Sequence, residues 1–279
     1  MSYQTILLHA DAARSAPTRL RLAAMLAGQE QAHLICAAMT GISRYAYNPA
    51  AHDPEALIRP DIAQIAVQRA QKVLDEVNAQ AGQLGVQSCE LRNVCDDAYG
   101  GLVLQARYAD LVILSQANRD DPATALLHDL PEYVVLHSCR PVLVVPFAGH
   151  FTTLGEHVLV AWDGSMQATR AVTQAIPILR RAARVTVAVF DPVSGPDDHG
   201  EEPGADIALY LSRHGVQVDV QRQGSNGDIG AALLTLTDNL GADLLVMGAY
   251  GHARYREILL GGVTRTVLNT MTVPVLLSH

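Results

Sequence analysis

Lysine is almost missing from this 279-residue chain: Lys72 is the only one. A phosphate loop of the Gly-x4-Gly-Lys-Ser/Thr kind places a lysine at a helix start. That class is excluded, and any nucleotide has to be held by backbone amides or arginine. Aromatic residues are sparse at 5%, with a single tryptophan, Trp162. The four cysteines, Cys36, Cys89, Cys95 and Cys139, all fall in the first half and form no CxxC pair. A disulfide framework is not expected in so long a chain, and reduced, mostly core thiols are. No apolar run approaches the ~18 residues of a membrane span, and the N-terminus has no basic leader. A soluble cytoplasmic protein with no membrane partner is therefore expected. Basic clusters are missing too. Residues 1–150 carry 11 basic and 15 acidic side chains and residues 151–279 carry 9 and 13, a balance that argues against a nucleic-acid partner. The eleven histidines show no HExxH spacing, no GxSxG elbow occurs, and no catalytic residue or metal ligand set is assigned.

What is present is apolar content of 49% and a repeat. ADLVILSQAN (109–118) matches ADLLVMGAYG (242–251) at an offset of 133, and PVLVVP (141–146) meets PVLLSH (274–279) at the same offset. Nearer the start, TILLHAD (5–11) matches HVLVAWD (157–163) at an offset of 152, which aligns Asp11 with Asp163. HLICAAM (33–39) then falls on VTVAVFD (185–191). The offset shrinks because the first copy has a longer connection after its second strand, residues 40–64. Two domains are expected, 1–148 and 156–279, split within FAGHFTTLGEH (147–157).

Within the second copy, HVLVAW, RVTVAVF, VQVDVQR, ADLLVMG and PVLLSH read as strands. Helices are expected between them: over 165–182 with a bend at Pro177, over PGADIALYLSRHG up to Gly215, over DIGAALLTLTDNLG up to Gly241, and over GGVTRTVLNTM. This alternation predicts an α/β chain of two tandem Rossmann-like domains, each an open five-stranded parallel sheet with helices on both faces. Ligands of such sheets sit at the carboxyl ends of the strands, near the point where strand order reverses. The last strand of each copy has an open edge unless it pairs, so the two copies can form an internal pseudo-dimer, and two chains a homodimer.

The chemistry points to GAYGHARYREILLGGVT (248–264). Gly248 closes the fourth strand, and Gly261 and Gly262 open the last helix, whose free N–H groups and partial positive charge favour an anion. Thr264 offers a hydroxyl in the first helical turn. Asp163, on the same edge of the sheet, is a candidate acceptor for a ribose hydroxyl or a base amine. Glycines used only in turns, and an Asp that merely neighbours a helix cap, fit the same residues. His252, Arg254 and Arg256 follow Gly251 and are either phosphate contacts or solvated charges. Asp197, Asp198, Glu201 and Glu202 read as an acidic loop rather than a metal site. The aromatic-bearing segment 43–60 either packs or lines a second pocket.

LLVMGAYGHARYREILLGGVTRTVL…TVPVLL resembles the C-terminal signature of the universal stress protein family: Gly, two residues, Gly, nine residues, Gly, then Ser or Thr. VLVAWDGS is similar to that family's opening strand, and the resemblance covers the chain as two tandem copies. It implies a Rossmann-like fold, a role in stress adaptation, and ATP, with or without Mg, as the bound cofactor. By this resemblance Asp163 and the backbone near Ala161 and Val189 hold adenine and ribose. Gly248, Gly251, Gly261, Gly262, Val263 and Thr264 hold ribose and phosphates. One position departs: Gly262 stands where the family has Ser or Thr. A lost hydroxyl donor is worth about 0.5–1.5 kcal/mol, at most roughly tenfold in affinity.

The first copy departs further. Ser115, Asn118, His128 and Asp129 replace the four motif glycines, and Pro131 replaces Thr264. No nucleotide is expected there. Since that copy keeps the frame without the glycines, they are expected to be dispensable for folding and retained in the second copy for a ligand. Two other readings fit the same residues: an adaptor or scaffold that binds no nucleotide, and a slow ATPase.

Overall fold

The computed structural model describes residues 2–47, 59–191, 202–225, 227–251 and 262–279. These divide into two compact units, Tyr3–Arg140 and Pro141–His279.

The first unit runs β1 (Thr5–Ala10), α1 (Ala16–Glu30), β2 (His33–Met39), a short 3-10 turn (Arg44–Tyr47), α2 (Pro60–Gln83), β3 (Cys89–Val94), α3 (Ala98–Ala106), β4 (Leu111–Ser115) and α4 (Leu130–His137). Its strands lie in the order β3-β2-β1-β4, and β1 pairs in parallel with both β2 and β4. The second unit runs β5 (Val142–Val145), β6 (His157–Ala161), α5 (Met166–Leu179), β7 (Arg184–Phe190), α6 (Ala205–Arg213), β8 (Val218–Gln223), α7 (Ile229–Leu240), β9 (Leu244–Gly248), α8 (Gly262–Thr270) and β10 (Val275–Ser278). Its order is β5-β10-β9-β6-β7-β8. Four of its pairings are parallel. The fifth, β5 with β10, is antiparallel and sets Val144 opposite Val275 and Val142 opposite Leu277.

The chain thus has the α/β architecture expected, with mostly parallel sheets and alternating helices. The two last strands of the repeat pair with each other. The central strands are continuous apolar runs because both faces are covered: every residue of β4, β5 and β10 is buried.

Local signals place the elements. Asp97, Ser165 and Asp228 accept from Gly100 N, Ala168 N and Ala231 N and so cap α3, α5 and α7. Gly241 ends α7 with φ 61°, a left-handed position that glycine takes without strain. α5 continues through Pro177 and stops two residues later, and α2 begins at Pro60, inside the segment expected to be connection. The aspartates of the two AD dipeptides that reveal the repeat are structural. Asp110 accepts from Gln4 N and Thr5 N, and Asp243 from Gly155 N, Glu156 N and His157 N, so each carboxylate pins the start of the neighbouring strand.

Candidate functional site

In the second unit strand order reverses at β6, which lies between β7 and β9. The crevice that a ligand of such a sheet uses therefore opens at the carboxyl ends of β6 and β9. Three chain segments meet there: the turn from β6 into α5, the loop after β9, and the start of α8.

Ala161 ends β6, and the next residue, Trp162, donates its N–H to Ala188 O, tying β6 to β7 at this edge. Asp163 is exposed, and its Oδ1 accepts from Ser165 N at 3.0 Å across the turn made by Gly164, φ 72°. Ser165, not Asp163, is the cap of α5. Val189 is buried in β7, where a β-carbon on Gly204 would stand 3.2 Å from its Cγ2. Its side chain packs beneath the start of α6.

The glycines differ in kind. A β-carbon on Gly248 would lie 2.5 Å from Ala168 N and 2.7 Å from the Gln167 carbonyl carbon, so the end of β9 and the first turn of α5 touch backbone to backbone. On Gly251 it would lie 2.9 Å from Ser165 Oγ and 3.3 Å from Gln167 Oε1. On Gly262 it would meet nothing within 4 Å among the described residues, and this exposed residue opens α8. The expectation that the motif glycines are dispensable for the fold is corrected at Gly248, where packing against α5 demands glycine with or without a ligand. The first unit carries Ser115 at the matching position, with its Oγ bonded. It receives bonds from Ser15 Oγ at 3.0 Å and Arg19 Nη1 at 2.7 Å. Gly261, His252, Arg254, Arg256 and the acidic positions Asp197, Asp198 and Glu201 lie outside the described residues.

Thr264 is buried at 5% exposure, and its Oγ1 accepts from Tyr250 N at 3.2 Å. Val263 is partly exposed beside it. Tyr250 has φ 55°, rare for a residue with a side chain. That turn is held from both sides: Ala249 N donates to Ser278 O at 2.8 Å, and His279 Nδ1 bonds Ala249 O at 3.0 Å. The structure thus joins Gly248, Gly251 and Thr264 to the start of α5. Ser165, Gln167, Tyr250 and His279 belong to the same framework and were not read from the sequence. Only Ser165 had a signal there, as a serine immediately before a helical pattern.

The matching place in the first unit is filled by the protein itself. Arg19, 1% exposed, reaches from α1 to Asp11 Oδ1 at 2.8 Å as well as to Ser115. At the offset that aligns Asp11 with Asp163, Arg19 falls on Ala171. His9 Nδ1 lies 3.3 Å from Asp11 Oδ2. Burial holds the His9 imidazole down at about 4, with Arg19 adding to the effect and Asp11 opposing it. Burial alone would raise Asp11, but the charges of Arg19 and His9 and the bonds from Arg19 and Ala13 N outweigh it and hold the carboxyl at about 2. After β4, the buried Asp121 accepts from Ala123 N at 3.1 Å within its own turn and from Arg14 N at 2.8 Å, so a carboxylate of the chain already occupies a backbone donor just before α1. Asp129 stands just before α4 and accepts a hydrogen bond from the Tyr99 hydroxyl at 2.5 Å, a bond that holds its carboxyl below the usual range.

Beside this framework, a cavity of about 430 Å³ runs along α7 past Phe190, Ser225 and Asp228, sharing no residue with the predicted site. Among the described residues no group of three or more His, Cys, Asp or Glu is placed to hold a metal, and no helix is long and apolar enough to cross a membrane.

Comparison with known proteins covers the whole chain. The model of the Universal stress protein family matches twice, over residues 2–146 and 155–279. A universal stress protein from Archaeoglobus fulgidus DSM 4304 is similar in structure, with TM-score 0.71 at 18% identity, over 98% of this chain and 95% of that one. A functionally unknown protein from Pseudomonas aeruginosa PAO1 is similar with TM-score 0.60 at 16% identity, over 99% and 92%. A universal stress protein solved in complex with cAMP matches 53% of this chain and 100% of its own at 25% identity, with TM-score 0.39. No curated protein matches the chain in sequence.

Proposed function

The chain belongs to the universal stress protein family, and on that premise we propose that residues 156–279 form a regulatory adenine-nucleotide-binding module and residues 1–148 a domain whose own site has been closed. The ligand is ATP, with or without Mg, and binding serves stress adaptation in the cytoplasm rather than rapid turnover. In this reading Asp163 and the backbone at Ala161 and Val189 take adenine and ribose. Gly248, Gly251, Gly261, Gly262, Val263 and Thr264 take ribose and phosphates. A homodimer is the assembly in which the module works.

The observation that carries this is Gly262. Packing demands the bare backbone of Gly248, but nothing in the described structure fills the space over Gly262 at the start of α8. A phosphate fits there against free N–H groups at the positive end of a helix. The filled counterpart in the first unit supports the division of labour. Arg19 is already paired with Asp11 and bonded to Ser115, and the Asp121 carboxylate takes Arg14 N, so no ligand is needed to balance charge there.

Isothermal titration of the full chain with ATP tests the reading. Saturable binding is expected, and Gly262→Asp is expected to weaken it at least tenfold without lowering the melting temperature, because a carboxylate in the first turn suits the helix and repels phosphate. No binding in millimolar ATP would instead favour an adaptor that has lost both sites.

A further inference from the structure

Two thiols of the first unit lie against each other in a way the nucleotide reading does not use. Cys36 sits in the middle of β2 and is fully buried, and Cys89 opens β3 and is partly exposed. Their sulfurs are 3.8 Å apart. In the parallel pairing of these strands Cys89 stands opposite Leu34 and Cys36 opposite Leu91. The cysteines therefore share one face of the sheet but are displaced by two residues along it.

That displacement decides what the pair can do. Two residues of strand advance about 6.6 Å, and neighbouring strands lie about 4.8 Å apart, which sets the two α-carbons about 8 Å apart. A relaxed disulfide spans about 4.4–6.8 Å between α-carbons. Closing the bond would need the two strands to slide within a sheet of fixed register, so the thiols meet but do not bridge. A metal ion relaxes that limit. Two thiolate–metal bonds of about 2.3 Å span up to about 4.6 Å when collinear, and the sulfurs reach that separation by small side-chain rotations outward from 3.8 Å.

We propose that Cys36 and Cys89 form a two-coordinate site for a soft monovalent cation, Cu(I). The ion is chosen by what surrounds the pair. Zinc takes four ligands, and among the described residues no third His, Cys, Asp or Glu completes such a set. Soft thiolate ligands select Cu(I), zinc or iron–sulfur clusters, and the last two take four protein ligands. Binding breaks two S–H bonds, forms two Cu–S bonds and releases two protons to water, with copper staying in the +1 state. The product carries one negative charge in a buried place: the Cys89 sulfur and burial push the Cys36 thiol up, and the Arg19 charge opposes them. Arg19 Nε is itself buried without a hydrogen-bond partner. The partly exposed Cys89 gives the ion its way in.

The test is anaerobic competition of the reduced full-length protein with a coloured Cu(I) chelator. One copper per chain is expected to leave the chelator, with X-ray absorption showing two sulfur neighbours and no nitrogen. Cys36→Ala and Cys89→Ser are each expected to abolish this withdrawal while keeping the circular dichroism spectrum of the parent. Cys89→Ser, at a partly exposed position, keeps the test open if the buried substitution unfolds the protein. Cys95→Ser with Cys139→Ser is expected to leave withdrawal unchanged. No withdrawal, or withdrawal lost with the exposed pair and kept without Cys36 and Cys89, overturns the site. So does a two-dalton mass loss joining the Cys36 and Cys89 peptides after peroxide, because it would show that the strands can close a disulfide.

Discussion

At the scale of single residues, the first unit depends on a buried polar cluster in which His9, Arg19 and Ser115 stand where the second copy has Ala161, Ala171 and Gly248. Arg19, Asp11, His9, Ser15 and Ser115 are bonded together within a sheet of Leu, Ile and Val, and breaking such a set leaves charges without water or partner. A pH dependence follows. The folded chain holds His9 neutral down to about 4, whereas an unfolded chain takes that proton near the ordinary value of about 6.5. Between those values the unfolded state binds more protons, so stability falls as pH drops from about 6.5 to 4. The Asp11 contribution is present above its ordinary value and is lost only as pH falls on toward about 2. The urea midpoint is expected to decline across the upper window, and His9→Gln is expected to flatten that decline. The sequence showed Asp11 aligned with Asp163 but gave no sign of this cluster, because nothing in an amphipathic helix pattern says that one arginine turns inward.

At the scale of elements, strand and helix order was legible because apolar runs of strand length alternate with helical spacing and end in Gly, Ser or Asp. The predicted strands of the second copy fall on β6 to β10 with small differences at their ends. What could not be read was the reason for a glycine. Gly248 and Gly262 both read as ligand contacts, yet one is pressed against the α5 backbone and the other has nothing over it among the described residues. Substitution separates them. Gly248→Ala forces the start of α5 away from β9 and is expected to cost about 1–3 kcal/mol, the usual range for overpacking a close contact, read as a lower urea midpoint. Gly262→Ala is expected to leave the midpoint within about 0.5 kcal/mol, as surface changes do. Equal effects would mean that the two helix starts are placed otherwise.

At the scale of the whole molecule, the repeat does not coincide with the compact units. β5 carries the last strand of the first copy, yet it packs within Pro141–His279 and pairs antiparallel with β10. Residues 147–279 alone would retain β10 but present its edge unpaired, and such edges recruit other chains. That fragment is expected to self-associate with rising concentration in sedimentation, and adding β5 back as residues 141–279 is expected to reduce association through this strand. The aligned Pro141 and Pro274 pointed to matching last strands in the sequence. That they would pair rested on their open edges, and the antiparallel sense was not legible, since period and composition carry no strand direction. The same pairing has a consequence during synthesis. A ribosome delivers β5 long before β10, and at ordinary elongation rates the interval is on the order of ten seconds. Through that interval the edge of Val142–Val145 that awaits β10 stays open. The nascent chain must therefore shield four consecutive apolar residues until β10 emerges to cover them.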